Sequence, residues 1–191
     1  CVVPGSGGKD SFFAAHFLKY ELGMSPITVT WAPHIYTDWG RRNHQAWIAA
    51  GFDNILITPN AKTHRLLTRL ATELLLHPFQ PFMIGQKSIA AKVAKQYGIP
   101  LIFYGENEAE YGNPLASFGS PKRDVLFSAN DDAQITLGGV SLSDLVNNFG
   151  LTRSDLHYYL PLKISEVLAQ KIETHYLGYY MPWHPQSCYY Y

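Results

Sequence analysis

The chain has 191 residues, 15 Lys+Arg against 15 Asp+Glu, and a formal net charge of zero. That length suits one domain with a real core, and the neutral balance gives no electrostatic reason to expect nucleic acid or an anionic membrane as partner. Apolar residues make up 47%, which excludes disorder, while no apolar run approaches the ~18 residues of a membrane span.

Cys1-Val2-Val3-Pro4 reads as the end of a strand, shorter than the usual length of about five or six residues. With the apolar close Cys188-Tyr189-Tyr190-Tyr191, it leads to the expectation of a fragment of a longer protein. A glycine loop follows, then a helix carrying Phe13, Phe17, Leu18 and Leu22 at helical spacing and ending at Gly23. Pro26 to Trp31 is a β-branched second strand. A loop with Pro33, His34 and Asp38 leads to a helix near Arg41 to Ala50, stopped at Gly51. Asn54 to Ile57 is the third strand. Leu66, Leu67, Leu70, Ala71, Leu74 and Leu75 mark an amphipathic helix closed before Pro78. Ile89, Ala90, Val93, Ala94 and Tyr97 mark another, ending at Gly98, and Pro100 to Tyr104 is the fourth strand. Residues 105–140 show little periodicity beyond a hairpin near Gly138-Gly139. Ser141 to Phe149 and Thr152 to Leu160 read as short helices, each with an acid three residues after a hydroxyl. Ile164, Val167, Leu168 and Ile172 share one more helix face, and Gly178 to Met181 is the expected fifth strand. The alternation predicts one α/β domain over 1–191, Rossmann-like, with a parallel five-stranded sheet between two helical layers. Residues 113–160 form a loop-rich insertion with short helices.

The two cysteines, Cys1 and Cys188, form neither a disulfide framework nor a four-thiolate zinc site. The first residues lack the basic-then-apolar pattern of a secretory signal. The expected setting is the cytoplasm.

Gly5-Ser6-Gly7-Gly8-Lys9-Asp10-Ser11 is the most informative stretch. It lies between the first strand and the first helix, where backbone N–H groups and the positive dipole end suit phosphate. Lys9 adds a point charge, and Ser6 and Ser11 add hydroxyls. A Walker A loop here needs Gly at position 3 and Ser or Thr at position 10, where the chain has Val3 and Asp10. The dinucleotide fingerprint from Gly5 also fails at Asp10.

Ser-Gly-Gly-Lys-Asp-Ser resembles, letter for letter, the pyrophosphate-binding loop of the ATP-pyrophosphatase superfamily, whose fold is that of the adenine nucleotide alpha hydrolases. Two further stretches narrow the resemblance: His77 to Lys87, and Gly105-Glu106-Asn107-Glu108-Ala109-Glu110-Tyr111-Gly112. With the tail from Gly178 to Gln186, they are similar to the N-acetyl sugar amidotransferases of lipopolysaccharide and nonulosonic-acid biosynthesis. The resemblance implies conversion of a sugar acetamido group to an acetamidino group, using ATP, Mg²⁺ and ammonia from a partner glutaminase. The acceptor is then a nucleotide- or lipid-linked N-acetyl sugar. It places Lys9 and Asp10 as catalytic residues, and Gly5, Ser6, Gly7, Gly8, Lys9, Asp10, Ser11 and Thr30 around ATP. Gln86, Lys87, Glu106, Asn107, Glu110 and Tyr111 fall to the substrate, and Asp10 and Glu106 to the metal.

Alternatives stand beside these roles. Asp10 is either a Mg²⁺ ligand or a first-turn acid favoured by the helix dipole. Glu108 and Glu110 also suit a solvated loop. His34 faces the nucleotide or is a plain loop histidine; Arg41 and Arg42 open a helix toward an anion or lie on ordinary surface. Trp31, Trp39, Trp47 and the tail aromatics suit a sugar, a core, or an interface with a partner or a second copy. The rival functions are another ATP pyrophosphatase, such as a tRNA-modifying enzyme, and a nucleotide-binding module without turnover. The absence of cysteine in Gln80-Pro81-Phe82-Met83 weighs against sulfur transfer.

Overall fold

Val2 and Val3 point to opposite faces of a strand, and both are fully buried, which requires cover on both sides of the sheet. The computed structural model describes residues 1–105, 119–125, 129 and 135–190. In chain order these give β1 (Val2–Pro4), α1 (Lys9–His16) widening into a π-turn (Phe17–Glu21), β2 (Ile27–Trp31), α2 (Asp38–Ala49), β3 (Asp53–Ile57), α3 (Ala61–Leu75), α4 (Gln80–Tyr97) and β4 (Leu101–Tyr104). A hairpin of β5 (Thr136–Leu137) and β6 (Val140–Ser141) precedes α5 (Leu142–Phe149). Then come α6 (Ile164–Ala169), β7 (Glu173–Tyr176), α7 (Leu177–Tyr180) and α8 (Pro185–Tyr190).

Five strands form one all-parallel sheet in the order β3-β2-β1-β4-β7. One buried cluster joins Val2, Val29 and Ile102 to Leu67 and Leu70 of α3 and Ile89 and Val93 of α4. The other joins Val3 and Phe103 to Ala14 and Ala15 of α1, Trp47 of α2 and Leu177 of α7. The Rossmann-like α/β expectation therefore holds: a parallel five-stranded sheet with helices against both faces.

The β1–β4 seam is the point where strand order reverses. β1 pairs with β2 through Val2, Val3 and Pro4, but with β4 only through Val2, opposite Ile102. Ile27 N–H donates to Cys1 C=O and Gly5 N–H to Val29 C=O, so the odd-numbered residues of this strand face β2. The missing N–H of Pro4 thus falls on the β4 side, where a ladder bond cannot form. The seam opens at the carboxyl ends of the strands, the place where open α/β sheets hold ligands.

Three expectations are corrected. The fifth strand is Glu173–Tyr176, and most of the span expected for it, Gly178 to Met181, lies in helix α7. Its ladder partner decides this: Tyr104 ends β4 opposite Tyr176, leaving nothing for a later strand to pair with. In the span Thr152 to Leu160, residues 153–159 form consecutive turns instead of a helix. Thr152 and Asp155 do cap one another, but the His157 and Tyr158 carbonyls accept from Lys92 and Ser88 of α4. The first helix narrows to His16 and finishes as a π-turn, with Lys19 and Tyr20 donating to Gly51 and Ala50 at the end of α2. Of the expected insertion 113–160, residues 113–118, 126–128 and 130–134 lie outside the described residues, as does Tyr191.

Leu67 is fully buried between α3 and the sheet, whereas Leu168 is 64% exposed. Leu67→Ala is expected to lower stability by about 2–5 kcal/mol in urea unfolding, and Leu168→Ala by less than about 0.5 kcal/mol. Equal losses would contradict the placement of this core.

Candidate functional site

The glycine loop starts where the β1 ladder stops. After Gly5 N–H bonds Val29 C=O at 2.9 Å, the chain leaves the sheet. It enters α1 through Gly8, an N-cap residue with no side chain to accept from the first helical amides. Ser11 Oγ turns back onto the Gly8 carbonyl at 3.1 Å, so it does not serve as a cap either. Gly7 has φ +81°, and a Cβ there would lie 2.7 Å from the Asn43 carbonyl oxygen. The loop is thereby pressed against α2, with a backbone that only glycine adopts without strain. Lys9 and Asp10 occupy the first turn, Nζ to Oδ1 2.6 Å, both partly exposed. An exposed pair of this kind adds little to stability.

A cavity of about 320 Å³ lies beside this junction, at the carboxyl ends of β1, β2 and β4 and between α2 and α4. Gly5, Ser6, Thr30, Trp31 and Tyr104 line its sheet side, and Asn43 and Gln86 its helical walls. Four sequence-predicted residues therefore meet at one cavity: Gly5, Ser6, Thr30 and Gln86. Gly7, Gly8, Lys9, Asp10 and Ser11 build the adjoining helix start. Lys87 is half-buried on α4 beside Gln86 but outside the cavity lining. Glu106, Asn107, Glu110 and Tyr111, together with Glu108, lie outside the described residues.

Thr30 is held by a polar network under α2. Asn54 Nδ2 donates to Thr28 Oγ1 at 2.9 Å and Thr30 Oγ1 at 3.1 Å, and its Oδ1 accepts from His44 Nε2 at 3.0 Å. The bond that Thr30 Oγ1 accepts from Asn54 fixes the side chain of this lining residue. Trp31 Nε1 and the Tyr104 hydroxyl, on two lining residues, are buried with no hydrogen-bond partner among the described residues. Both atoms are closed off from the cavity as well as from bulk solvent, so these residues line it with other parts of their rings.

Arg41 and Arg42 do not open α2, which starts at Asp38 with Thr37 as cap. They lie a turn further in, each stacked on an aromatic ring: Arg41 over Tyr36 at 4.9 Å and Arg42 over Trp39 at 5.0 Å. Trp31 and Trp47 are core residues, whereas Trp39 is 70% exposed. Asn43, His44, Tyr104 and Phe82 of the cavity wall went unread in the sequence, because single polar or aromatic residues in amphipathic segments carry no chemical signature. The spacing of Gly40, Asn43, His44 and Trp47 on one face of α2 was the available signal.

Among the described residues no group of three His, Cys, Asp or Glu side chains is arranged for a metal ion, and no helix is long and apolar enough to cross a membrane. The chain matches no protein-family model and no curated protein. The chemistry of the site rests on its own residues.

Behind the cavity, His64 is buried on α3, and burial together with neighbouring His34 pushes its ring down to about 4. The unfolded chain takes up that proton near the ordinary histidine value of 6.5. Between pH 6.5 and 4 it therefore binds more protons than the fold, and stability falls as pH drops through that window. Burial shifts His34 and His157 in the same direction. The urea midpoint is expected to fall between pH 7 and pH 4.5, with a shallower fall in His64→Gln. An unchanged slope in that variant would contradict the assignment.

Proposed function

We propose that the chain is an ATP pyrophosphatase of the amidotransferase kind, which adenylates the amide oxygen of an N-acetyl sugar and replaces it with ammonia. The observation that carries this reading is the Ser6–Ser11 loop at the carboxyl end of the central parallel strand, opening a helix beside a cavity. The adenine nucleotide alpha hydrolase likeness of the fold belongs to the same proposal.

The residues fit a nucleoside triphosphate. Gly7 and Gly8 let phosphate oxygens approach the backbone, Gly8 as N-cap has no side chain to cap the α1 amides, and the dipole favours negative charge there. A divalent ion such as Mg²⁺, which keeps few protein ligands and shares phosphate oxygens, would be held by Asp10; it would neutralise phosphate charge.

An amide carbonyl is a poor electrophile, so its oxygen must first become a leaving group. The amide oxygen attacks the α-phosphorus of ATP, forming the O–P bond as the bond to pyrophosphate breaks. Ammonia then adds to the imidate carbon, and AMP departs with the former amide oxygen, leaving the amidine. Lys9 and the loop amides stabilise the charge that builds on pyrophosphate in the first step. Thr30, Trp31 and Tyr104 line the cavity deeper in, and Gln86 faces it from α4. A partner glutaminase supplies ammonia, and the cytoplasm supplies ATP.

Pyrophosphate release from ATP with candidate N-acetyl sugars and ammonium is the direct test. Release dependent on both sugar and ATP is expected. Stable ATP binding without pyrophosphate for any sugar would leave a non-catalytic nucleotide module, and release with tRNA instead would point to a nucleic-acid-modifying enzyme. Lys9→Ala is expected to lower turnover by at least about 10²-fold with an unchanged circular dichroism spectrum. Retained activity would overturn the role of the loop.

A further inference from the structure

A second set of polar side chains meets on β7, at the end of the sheet away from β3. None of Glu173, His175 and Tyr180 lines the cavity described above. The segment 121–123 runs along the outer edge of β7. Arg123 N–H donates to Thr174 C=O at 2.7 Å, and Tyr176 N–H to Pro121 C=O at 3.0 Å. Lys122 forms an antiparallel bridge with His175, and its Nζ reaches Glu173 Oε1 at 2.6 Å. Glu173 and His175, two residues apart on one strand, share a face of the sheet. Beyond β7 the Gly178 N–H bonds Gly105 C=O, and α7 brings Tyr180 back beside the strand. Its ring lies 5.9 Å from that of His175.

These side chains bond in series. Glu173 Oε2 lies 3.1 Å from His175 Nε2, and His175 Nδ1 lies 2.6 Å from the Tyr180 hydroxyl. The carboxylate sets the direction. Hydrogen bonds from Lys122 and His175 hold Glu173 below the usual carboxylate range, so it is ionised and only accepts. The proton of neutral His175 therefore sits on Nε2. Nδ1 is left as a bare acceptor, and the Tyr180 O–H donates to it.

The base is held and the phenol is open. His175 is 9% exposed, its ring 5.8 Å from that of Phe103 on β4, whereas Tyr180 is 55% exposed. A nucleophile within hydrogen-bond reach of a base, with that base oriented by a third group, is the arrangement of covalent catalysis. A phenol is also a stronger acid than an aliphatic alcohol, so less is asked of the base. Tyr179, Tyr189 and Tyr190 are exposed too. Among the described residues, however, the tyrosine hydroxyls that meet an imidazole are those of Tyr180 and the buried Tyr159.

We propose that Tyr180 is a nucleophile that takes a phosphoryl group, with His175 as its general base and Glu173 as the positioning residue of His175. The Tyr180 oxygen bonds to phosphorus as the bond from phosphorus to its leaving group breaks, and the phenol proton passes to His175 Nδ1. Phosphorus is the matching electrophile because an aryl phosphodiester persists, whereas an aryl carboxylic ester hydrolyses readily. The donor is a phosphoanhydride or a phosphodiester, both of which present phosphorus with a leaving group. The proposal does not rest on the amidotransferase reading, since it uses no residue of the glycine loop or the cavity.

Diisopropyl fluorophosphate at pH 8, followed by peptide mass spectrometry, compares Tyr180 with Tyr179, Tyr189 and Tyr190 in the same molecule. Tyr180 is expected to label faster by about 10²-fold, the contribution of a general base. His175→Gln should bring it down to the rate of the other three. Glu173→Gln, at a half-exposed position that leaves the core untouched, should give an intermediate rate. Long-range ¹H–¹⁵N NMR at pH 8 is expected to show His175 as the Nε2–H tautomer, and as a mixture in Glu173→Gln. ATP with Mg²⁺ and p-nitrophenyl thymidine 5′-phosphate are then offered as anhydride and diester. At least one is expected to leave an adduct on Tyr180 that His175→Gln loses, and that one names the donor. Equal labelling of the four tyrosines, unchanged labelling in both variants, an Nδ1–H or imidazolium form of His175, or no adduct from either donor would overturn the proposal. Fluorophosphate labelling of Tyr180 should be unaltered in Lys9→Ala, so this site and the glycine loop fail separately.

Discussion

The hydrogen bond from Gly5 N–H to Val29 C=O, one residue after a proline that has no N–H to donate to the other neighbour, is the constraint on which the site depends. It carries the β1–β2 ladder to the last residue before the loop and fixes where the chain leaves the sheet. Pro4 leaves the β4 side without a donor, so the strands part where the order reverses. The loop, the cavity and the open seam are consequences of two adjacent residues. Gly7 completes the arrangement by letting the loop lie on the α2 backbone at Asn43, which no side chain would permit.

The electrostatics follow from that geometry. A helix start whose N-cap residue is glycine, a lysine in its first turn and glycines on the approach gather partial positive charge at one point, the pattern that anionic phosphate needs. Thr30, which lines the cavity beside it, is tied by Asn54, and Asn54 in turn by His44. Polar groups in a sheet core are costly unless joined, and this network joins them under α2.

Much of this was legible in the sequence, for identifiable reasons. Alternation of β-branched runs with helical periodicity predicted the parallel sheet, and the glycine loop announced itself through six consecutive letters whose placement matched their chemistry. The last strand was misplaced because Tyr179 and Tyr180 have the composition of a strand, yet strand length is set by the neighbour, and β4 ends at Tyr104. Thr152 to Leu160 has the capping pattern of a helix, but Ser88 and Lys92 of α4 hold its carbonyls outward. The Tyr159, His64 and His34 side chains meet in series across residues far apart in sequence, a contact that nothing local in the sequence announces. Gln86, read from its stretch, does reach the cavity, while its neighbour Lys87 turns aside by one helical step.

The central claim is that the amide oxygen is the group adenylated, and isotope transfer tests it without reference to rates. An N-acetyl sugar carrying ¹⁸O in its acetamido carbonyl, incubated with the chain, ATP and ammonium, is predicted to pass that oxygen to the phosphate of AMP. Retention of the label in the sugar, or formation of ADP and inorganic phosphate in place of AMP and pyrophosphate, would contradict it.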